Sequence, residues 1–430
     1  MDLKKEIKLS DLLPKRGKKE PGEEQPAAEA KPPKEKRSLS FGRKPKEPKE
    51  QKEPKAKAPK QPKQPRAKKP KTAKEKRPVR HKKLVGLKIG ASQLAAARVV
   101  NNGSSEVVQV ARMDLDPGIV VGGELREPDA LAAALKTFFR DNKLPRQAVR
   151  LGIASNRIGV RMFELSGIDD PKQLENAIHF RAQEALPIPL DEAVLDYQLL
   201  GESVDDEGQK KQRVLLVVAY RDLVERYVGA CKKAGIRLAG VDLEAFALLR
   251  ALGEHPAEGA SAAIVVASVG SDRSTLAVSN GEVCEFTRVI EWGGMNLSVA
   301  IARALDTTPS EAEPVKLSLN LLEPAESMDL APEKAARVRT AVAEELQTFA
   351  RELVSSLQFY QGQPGSLGIA EIVLTGGTAQ LPGLDVELAR LIGVRVRVGD
   401  PLSRVERGKK LGEPQGLGSL AVAIGLGIES

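Results

Sequence analysis

The chain has 430 residues and a net charge of +9, which is unevenly distributed: residues 1–83 carry +18 and residues 84–430 carry −9. Two cysteines are too few for a disulfide framework, and three histidines are too few for a histidine-based metal site. No apolar run reaches the ~20 residues needed to span a bilayer. We therefore expect a soluble protein with a basic tail and a mildly acidic globular part.

The tail, residues 1–83, is rich in Lys and Pro and has one aromatic residue, Phe41. It lacks the apolar surface that would offset the entropy of ordering it, so we predict that it is disordered. Three roles remain open: a solvated spacer, adhesion to an anionic membrane surface, and nonspecific nucleic-acid binding. Nucleic acid is disfavoured because aromatic side chains for base stacking are almost absent and glutamates interrupt the basic runs.

One apolar island within the tail covers residues 7–14. We interpret it as a docking motif, formed by Ile7, Leu9, Leu12, Leu13 and Pro14. Two alternatives remain open: a chance cluster, and a short amphipathic element that lies on a surface.

The remaining residues show patterns typical of an α/β fold. The first half predicts strands at 84–90, 94–100, 150–154, 160–165, 193–200 and 214–220, with helices at 127–139, from 170 onward, and at 223–234. The second half predicts strands at 262–269, 274–279, 282–290, 371–374 and 394–398, with helices at 296–305, 336–361 and 383–391 and a buried small-residue helix within 417–428. Glycine-rich turns follow three of the strands, and backbone amides in such turns bind anions.

The order of these motifs resembles the actin-like ATPase superfamily and, within it, the PilM family of type IV pilus assembly proteins, which is related to the FtsA family. The stretches that carry the resemblance are 173–199, 240–248, 372–384 and 398–402. The resemblance implies an α/β, actin-like (ribonuclease H-like) two-lobed fold with a small inserted α+β subdomain. The implied domains are a tail at 1–83, a first lobe at 84–150 and 239–258, an insert at 151–238, a second lobe at 259–415 with a smaller helical part near 296–345, and a C-terminal helix at 416–430.

The resemblance also implies ATP or ADP with Mg²⁺ in a cleft between the lobes. Carried over by position, the phosphate turns are Gly90, Ala91 and Ser92, and Gly270 and Ser271, with Gly293 and Gly294 at a helix N-terminus. The adenosine turn is Gly376, Gly377 and Thr378, and Glu313 and Lys316 match a helix that contacts ribose and base. No residue is assigned as catalytic and none as a metal ligand.

The sequence departs from the family pattern two residues before each phosphate-turn glycine. The family has Asp at both positions, and this chain has Lys88 and Ser268. A lysine cannot ligate Mg²⁺, so we expect doubtful Mg²⁺ binding, a degenerate nucleotide site and little ATPase activity. Two possibilities for Lys88 stay open: it pairs with phosphate in the cleft, or it pairs with a local acid. Asp272 is a displaced candidate for a lost carboxylate.

The resemblance implies a scaffold at the cytoplasmic face of the inner membrane that binds a PilN-like inner-membrane protein. PilN-like segments resemble the island at 7–14, so self-association through this motif is an open possibility, as is peripheral membrane contact through the basic tail. The alternative function is an active, ATP-binding and ATP-hydrolysing, FtsA-like polymerising protein.

Overall fold

The computed structural model describes residues 82–168, 170–185, 189–204, 210–254, 262–409, 411–412 and 416–429. Most of the predicted tail, including the island at 7–14, lies outside the described residues. Among the helices within the described ranges, none is both long and apolar enough to cross a membrane.

The described part of the chain contains strands and helices in mixed order. The strands are β1 Lys83–Ile89, β2 Gln93–Asn102, β3 Ser104–Asp114, β4 Val120–Val121, β5 Glu124–Leu125, β6 Val149–Ile153, β7 Ile158–Ser166, β8 Ala193–Val204, β9 Lys210–Tyr220, β10 Leu238–Leu243, β11 Ala262–Val269, β12 Ser274–Ser279, β13 Cys284–Ile290, β14 Gly368–Thr375, β15 Arg395–Val398 and β16 Glu406–Arg407. The helices are α1 Pro128–Asp141, α2 Pro171–Ala185, α3 Arg221–Lys233, α4 Glu244–Leu252, α5 Gly294–Leu305, α6 Pro309–Ser318, α7 Pro332–Gln361, α8 Leu384–Ile392 and α9 Ala421–Gly427.

Two sheets share one topology. The first has the order β10-β6-β1-β2-β3-β16 and the second has the order β13-β12-β11-β14-β15. In the first sheet, β1 forms an antiparallel hairpin with β2 and pairs in parallel with β6. In the second sheet, β11 forms an antiparallel hairpin with β12 and pairs in parallel with β14. The duplicated arrangement confirms the predicted two-lobed α/β fold, and we call the two sheet-centred halves the first and second lobes.

The insert is a three-stranded antiparallel sheet, β7-β9-β8, covered by α2. The apolar face predicted for α2 is buried: Leu174, Ile178 and Ala182 share a core with strand β9. The insert is narrower than the predicted range 151–238, because β6 pairs within the first sheet and α3 packs in the first-lobe core. It spans β7 to β9, residues 158–220.

Two helices, α4 and α9, lie between the sheets and pack closely against each other. A Cβ added to Gly425 would lie 1.8 Å from the Ala247 oxygen, and one added to Gly86 would lie 2.0 Å from the Ala423 oxygen. Such distances are far below van der Waals contact, so glycine at these positions lets the backbones approach. The predicted small-residue helix at the C-terminus is confirmed, and all of α9 is buried.

The second-lobe core contains the single tryptophan of the chain, Trp292. Its ring is buried and stacks on Phe349 of α7, with ring centroids 4.0 Å apart. Its indole nitrogen donates a hydrogen bond to Glu345 over 3.2 Å. Trp292 therefore gives an intrinsic fluorescence signal for unfolding of this lobe.

Candidate functional site: a cleft between the lobes

A cleft of about 590 Å³ opens where the turns of both lobes meet. It brings together residues that are far apart in sequence, including twelve of the fourteen predicted for nucleotide binding. These twelve are Lys88, Gly90, Ala91, Ser92, Ser268, Gly270, Ser271, Gly294, Glu313, Lys316, Gly377 and Thr378. Gly293 and Gly376 do not line the cleft and lie directly behind it.

The two predicted phosphate turns have matching geometry. The Gly90 amide donates to the Gln93 oxygen over 2.9 Å, and the Gly270 amide donates to the Arg273 oxygen over 3.0 Å. A Cβ at Gly270 would lie 2.8 Å from that same Arg273 oxygen. In the described part of the chain, no protein acceptor bonds the amides at 91–92 and 271–272. Each turn therefore presents two free N–H groups of the kind that bind anions.

The N-terminus of α5 does not offer free amides in the same way. The Gly293 amide donates to Asn296 Oδ1, the Gly294 amide to the Gly270 oxygen and the Met295 amide to the Ser271 oxygen, at 2.8–3.1 Å. A Cβ at Gly293 would lie 2.5 Å from the Ser271 oxygen. The amides of Gly294 and Met295 therefore hold the second phosphate turn in place, and the dipole of α5 is directed at the cleft.

The predicted adenosine turn packs on the second phosphate turn. Gly376 has φ +98°, and a Cβ there would lie 2.2 Å from the Val269 oxygen. Glycine at this position therefore allows the backbone of the adenosine turn to lie against the end of β11. Thr378 Oγ1 donates to the Gly270 oxygen over 2.8 Å. The two turns are thus in direct contact.

Glu313 and Lys316 lie at the cleft on α6. Lys316 Nζ is 2.7 Å from Glu313 Oε2 and donates to Ser298 Oγ over 2.9 Å. Thr308 caps the N-terminus of α6, and the helix continues through Pro314 although proline lacks an amide N–H. Leu317 follows Lys316 at the cleft and is 74% exposed, an apolar surface of the kind that a base can cover.

Lys88 lines the cleft and pairs with an acid, which is the second of the two possibilities raised by the sequence; its pairing with a phosphate stays a prediction. Its Nζ lies 3.7 Å from Glu244 Oε2, and the two side chains are 16% and 3% exposed. Glu244 is the first residue of α4, where the helix dipole favours a carboxylate. Its other oxygen, Oε1, is buried and has no hydrogen-bond partner among the described residues.

The acidic side chains that line the cleft, Asp114, Glu244, Asp272 and Glu313, do not converge on one point. Among the described residues, no cluster of three or more His, Cys, Asp or Glu side chains could hold a metal ion. Asp272, the candidate for a displaced carboxylate, accepts a hydrogen bond from the Gly122 amide over 2.8 Å and lies 3.4 Å from Arg273. Its carboxylate is thus engaged in a contact between the lobes.

Cysteine chemistry is not supported at either thiol. Cys231 and Cys284 are free and buried, and burial raises the pKa of each to about 12. The thiolate, which is the reactive form, is therefore scarce at neutral pH.

The sequence alone missed several residues of the cleft. Glu244 lies in the stretch 240–248 that carries the resemblance, but no role in the cleft was predicted for it. Arg112 lies on β3, a strand that was not predicted; it donates to the Gly416 oxygen over 3.2 Å and to Ser419 Oγ over 3.1 Å. Ala95 of β2 pairs with Lys88 of β1 on one side and with Arg112 of β3 on the other. Prediction of β3 as the third strand of the duplicated sheet would therefore have placed Arg112 near Lys88.

Comparison with known proteins gives concordant matches. A family model described as type IV pilus assembly protein PilM matches residues 86–430. A solved PilM-PilN type IV pilus biogenesis complex matches with a TM-score of 0.67 and 25% identity, covering 80% of this chain and 97% of that chain. The cell division protein FtsA of Escherichia coli K12 is 25% identical over 362 residues, covering 75% of this chain and 85% of that protein. FtsA of Pseudomonas aeruginosa is 27% identical over 356 residues, with 75% and 84% covered.

Proposed function

The chain belongs to the family of the type IV pilus assembly protein PilM, and from this premise we propose that it is an actin-like scaffold in the assembly of a type IV pilus or a related secretion system. The observation that carries the proposal is the family match over both lobes and the insert, residues 86–430. We propose that the scaffold acts at the cytoplasmic face of the inner membrane. Deleting the gene should abolish assembled pili, and the intact gene should restore them; normal piliation in the deletion strain would contradict the proposal.

The partner that we propose is the cytoplasmic N-terminus of a PilN-like inner-membrane protein. The support is the matched solved structure, which is a PilM-PilN complex. In this chain the insert carries exposed apolar side chains on two elements, Phe180 on α2 and Leu199 on β8, which are 61% and 40% exposed. An apolar peptide segment would bury such side chains.

The docking proposal is tested by capture of the full-length chain on an immobilised PilN-like N-terminal peptide. Phe180→Ala should weaken capture, because it removes apolar surface from the insert. Phe359→Ala is the matched control, since Phe359 is 62% exposed and lies on α7 in the second lobe. Equal capture of both variants and the wild type would argue against docking on the insert.

The second part of the proposal is that the cleft binds ATP or ADP as a structural ligand, without Mg²⁺ and with little hydrolysis. The free amides at 91–92 and 271–272 would hold the phosphates, and Lys88 would supply the positive charge. Gly377, Thr378 and the α6 side chains would hold the nucleoside. The bound nucleotide supplies contacts to both lobes and thereby fixes their arrangement.

For the N-terminal island at 7–14, we propose docking in the same way as the PilN-like segment, either within one chain or between copies. Residues 1–83 would also contact the anionic membrane surface through their positive charge. If the island occupies the same site as the PilN-like peptide, a chain lacking residues 1–16 should bind that peptide more tightly, because the competing segment has been removed. Unchanged peptide affinity and unchanged oligomeric state would contradict the proposal.

The alternative function is an active FtsA-like polymerising ATPase, for which the 25% identity to the cell division protein FtsA is weak support. It predicts ATP-dependent pelleting of the protein and stoichiometric phosphate release. The scaffold proposal predicts neither, so one sedimentation and phosphate-release experiment separates the two.

A further inference from the structure

The cleft offers both polar and apolar contacts to a ligand. The free amides at 91–92 and 271–272 lie in its two phosphate turns, where an anion would bind. Leu317 lines the same cleft from a different element, helix α6, and its side chain is largely exposed. An exposed leucine in a cleft with anion-binding amides fits a ligand that carries both a phosphate and an apolar ring.

The polar side chains of α6 and of the adenosine turn are already bonded to protein atoms. Glu313 Oε2 accepts from Lys316 Nζ and from Ser298 Oγ, both over 2.7 Å. The Thr378 hydroxyl donates to the Gly270 oxygen over 2.8 Å. The second oxygen of Glu313 can only accept, and the ribose hydroxyls, which are donors, are the same in every ribonucleotide. These side chains therefore do not distinguish one base from another.

Gln380 differs from these side chains. It follows the adenosine turn, lines the cleft and is exposed. Its side-chain amide forms no hydrogen bond with any residue that the structure describes. A glutamine amide carries a donor and an acceptor, and these exchange places when the group rotates by half a turn. Gln380 can therefore offer either group to a base in the cleft.

Adenine and guanine differ in the hydrogen-bonding group at one corner of the ring system: adenine has the N6 amino donor, and guanine has the O6 carbonyl acceptor. A site rejects one of these bases when it holds a donor or an acceptor in a fixed orientation, because the wrong base leaves that group unpaired. A leucine side chain does not distinguish the two rings. An amide that rotates freely pairs with both.

We propose that the cleft binds purine nucleotides without selecting adenine over guanine, with the base lying against Leu317 and its edge bonded by the Gln380 amide. This inference rests on the proposed nucleotide binding and adds the class of ligand, which is a purine nucleoside diphosphate or triphosphate of either base. Gln380 is the residue that sets the tolerance, since its amide is unbonded and can rotate.

The test is calorimetric titration of the full-length protein with ADP, GDP and CDP, each with and without Mg²⁺. The Kd for GDP should lie within about threefold of that for ADP, because neither base leaves a protein group unpaired. CDP should bind more weakly than both, because its smaller ring covers less apolar surface. Leu317→Ala should raise the Kd for ADP and for GDP by the same factor, about three- to fivefold. The control Leu322→Ala removes an exposed leucine that does not line the cleft, and it should leave both Kd values unchanged.

Gln380→Glu tests the assigned residue, because a purely structural role would not change the preference between bases. A carboxylate only accepts, so it pairs with two neighbouring donors of guanine, N1–H and N2–H, whereas adenine offers it the N6 donor alone. The ratio of the two Kd values should therefore shift about tenfold in favour of GDP. The matched control, Gln347→Glu, makes the same change of charge at an exposed position of α7 outside the cleft, and it should keep the wild-type ratio.

Each other outcome has a definite meaning. A wild-type preference for ADP of about tenfold or more overturns this inference and leaves nucleotide binding intact. Absence of binding by all three nucleotides overturns both. An unchanged Kd in Leu317→Ala, or an unchanged ratio in Gln380→Glu, removes that residue from the base site and overturns the assignment. The comparison of ADP with GDP on the wild type needs no variant, so the inference remains testable if a variant does not fold.

Discussion

Lys88 and Ser268 occupy equivalent positions in the two duplicated sheets. Each lies two residues before the glycine of its turn. In the hairpins, Lys88 pairs with Ala95 and Ser268 pairs with Thr275. Both side chains line the same cleft from opposite lobes. The duplicated position thus holds a cation in one lobe and a hydroxyl in the other, and neither supplies a carboxylate for Mg²⁺.

Lys88→Met should destabilise the protein because it leaves Glu244 as a buried charge without its counter-ion. Breaking a fully buried pair costs about 3–5 kcal/mol; we expect ~2 kcal/mol here, because Lys88 is partly exposed and the pair is 3.7 Å apart. Urea unfolding followed by Trp292 fluorescence measures the change. The double variant Lys88→Met, Glu244→Gln should recover most of the loss.

The control for that series is Lys136→Met on the exposed face of α1, which should change the free energy of unfolding by less than about 0.5 kcal/mol. An equal effect of both lysine substitutions would mean that the Lys88–Glu244 contact contributes nothing to stability.

Gly425→Ala should destabilise the protein strongly, because the new Cβ would meet the Ala247 oxygen at 1.8 Å and force α9 away from α4. Overpacking of this kind costs about 1–3 kcal/mol or more. Gly229→Ala in α3 is the matched helical control: nothing lies within 4 Å of its added Cβ, so it should stabilise by ~0.5–1 kcal/mol. Chemical unfolding of both variants decides, and a neutral Gly425→Ala would contradict the close packing of α4 and α9.

Gly270→Ala should weaken nucleotide binding, since its Cβ would lie 2.8 Å from the Arg273 oxygen and distort the second phosphate turn. We expect at least a tenfold rise in the Kd for ADP, equivalent to about 1.4 kcal/mol. Gly159→Ala on β7 has open space around its Cβ and should leave the Kd unchanged. Identical affinities would remove the second turn from the binding site.

The sequence predicted the parts of the fold that local pattern determines. The glycine turns and the apolar face of α2 follow from spacing and were recovered with small shifts at their ends. Strand β3 was missed because its inward and outward residues lack a clean alternation of apolar and polar types. The contact between Glu244 and Lys88 could not be predicted from local pattern, since these residues are 156 positions apart in the sequence. The order of the strands in the first sheet brings them together.

Glu311 should titrate far below the usual range for glutamate. Hydrogen bonds from the Thr307 side chain, then from the Thr308 amide and hydroxyl, lower the pKa of Glu311 from 4.5 to about 2. The stabilisation of α6 is therefore complete above about pH 4.5 and is lost as the pH falls through about 2. Thr308→Ala should raise the pKa toward 4.5 in an NMR titration, whereas the exposed Thr340→Ala should not. A pKa of Glu311 near 4.5 in the wild type would contradict the hydrogen bonds from Thr307 and Thr308 to its carboxylate.

The central claim is that Lys88 replaces a metal ion in the cleft, and its most direct test is titration of the full-length protein with ADP in the presence and absence of Mg²⁺. The account predicts the same Kd in both conditions. It also predicts that the double variant Lys88→Asp, Ser268→Asp binds ADP only when Mg²⁺ is present. Wild-type binding that requires Mg²⁺ would contradict the account.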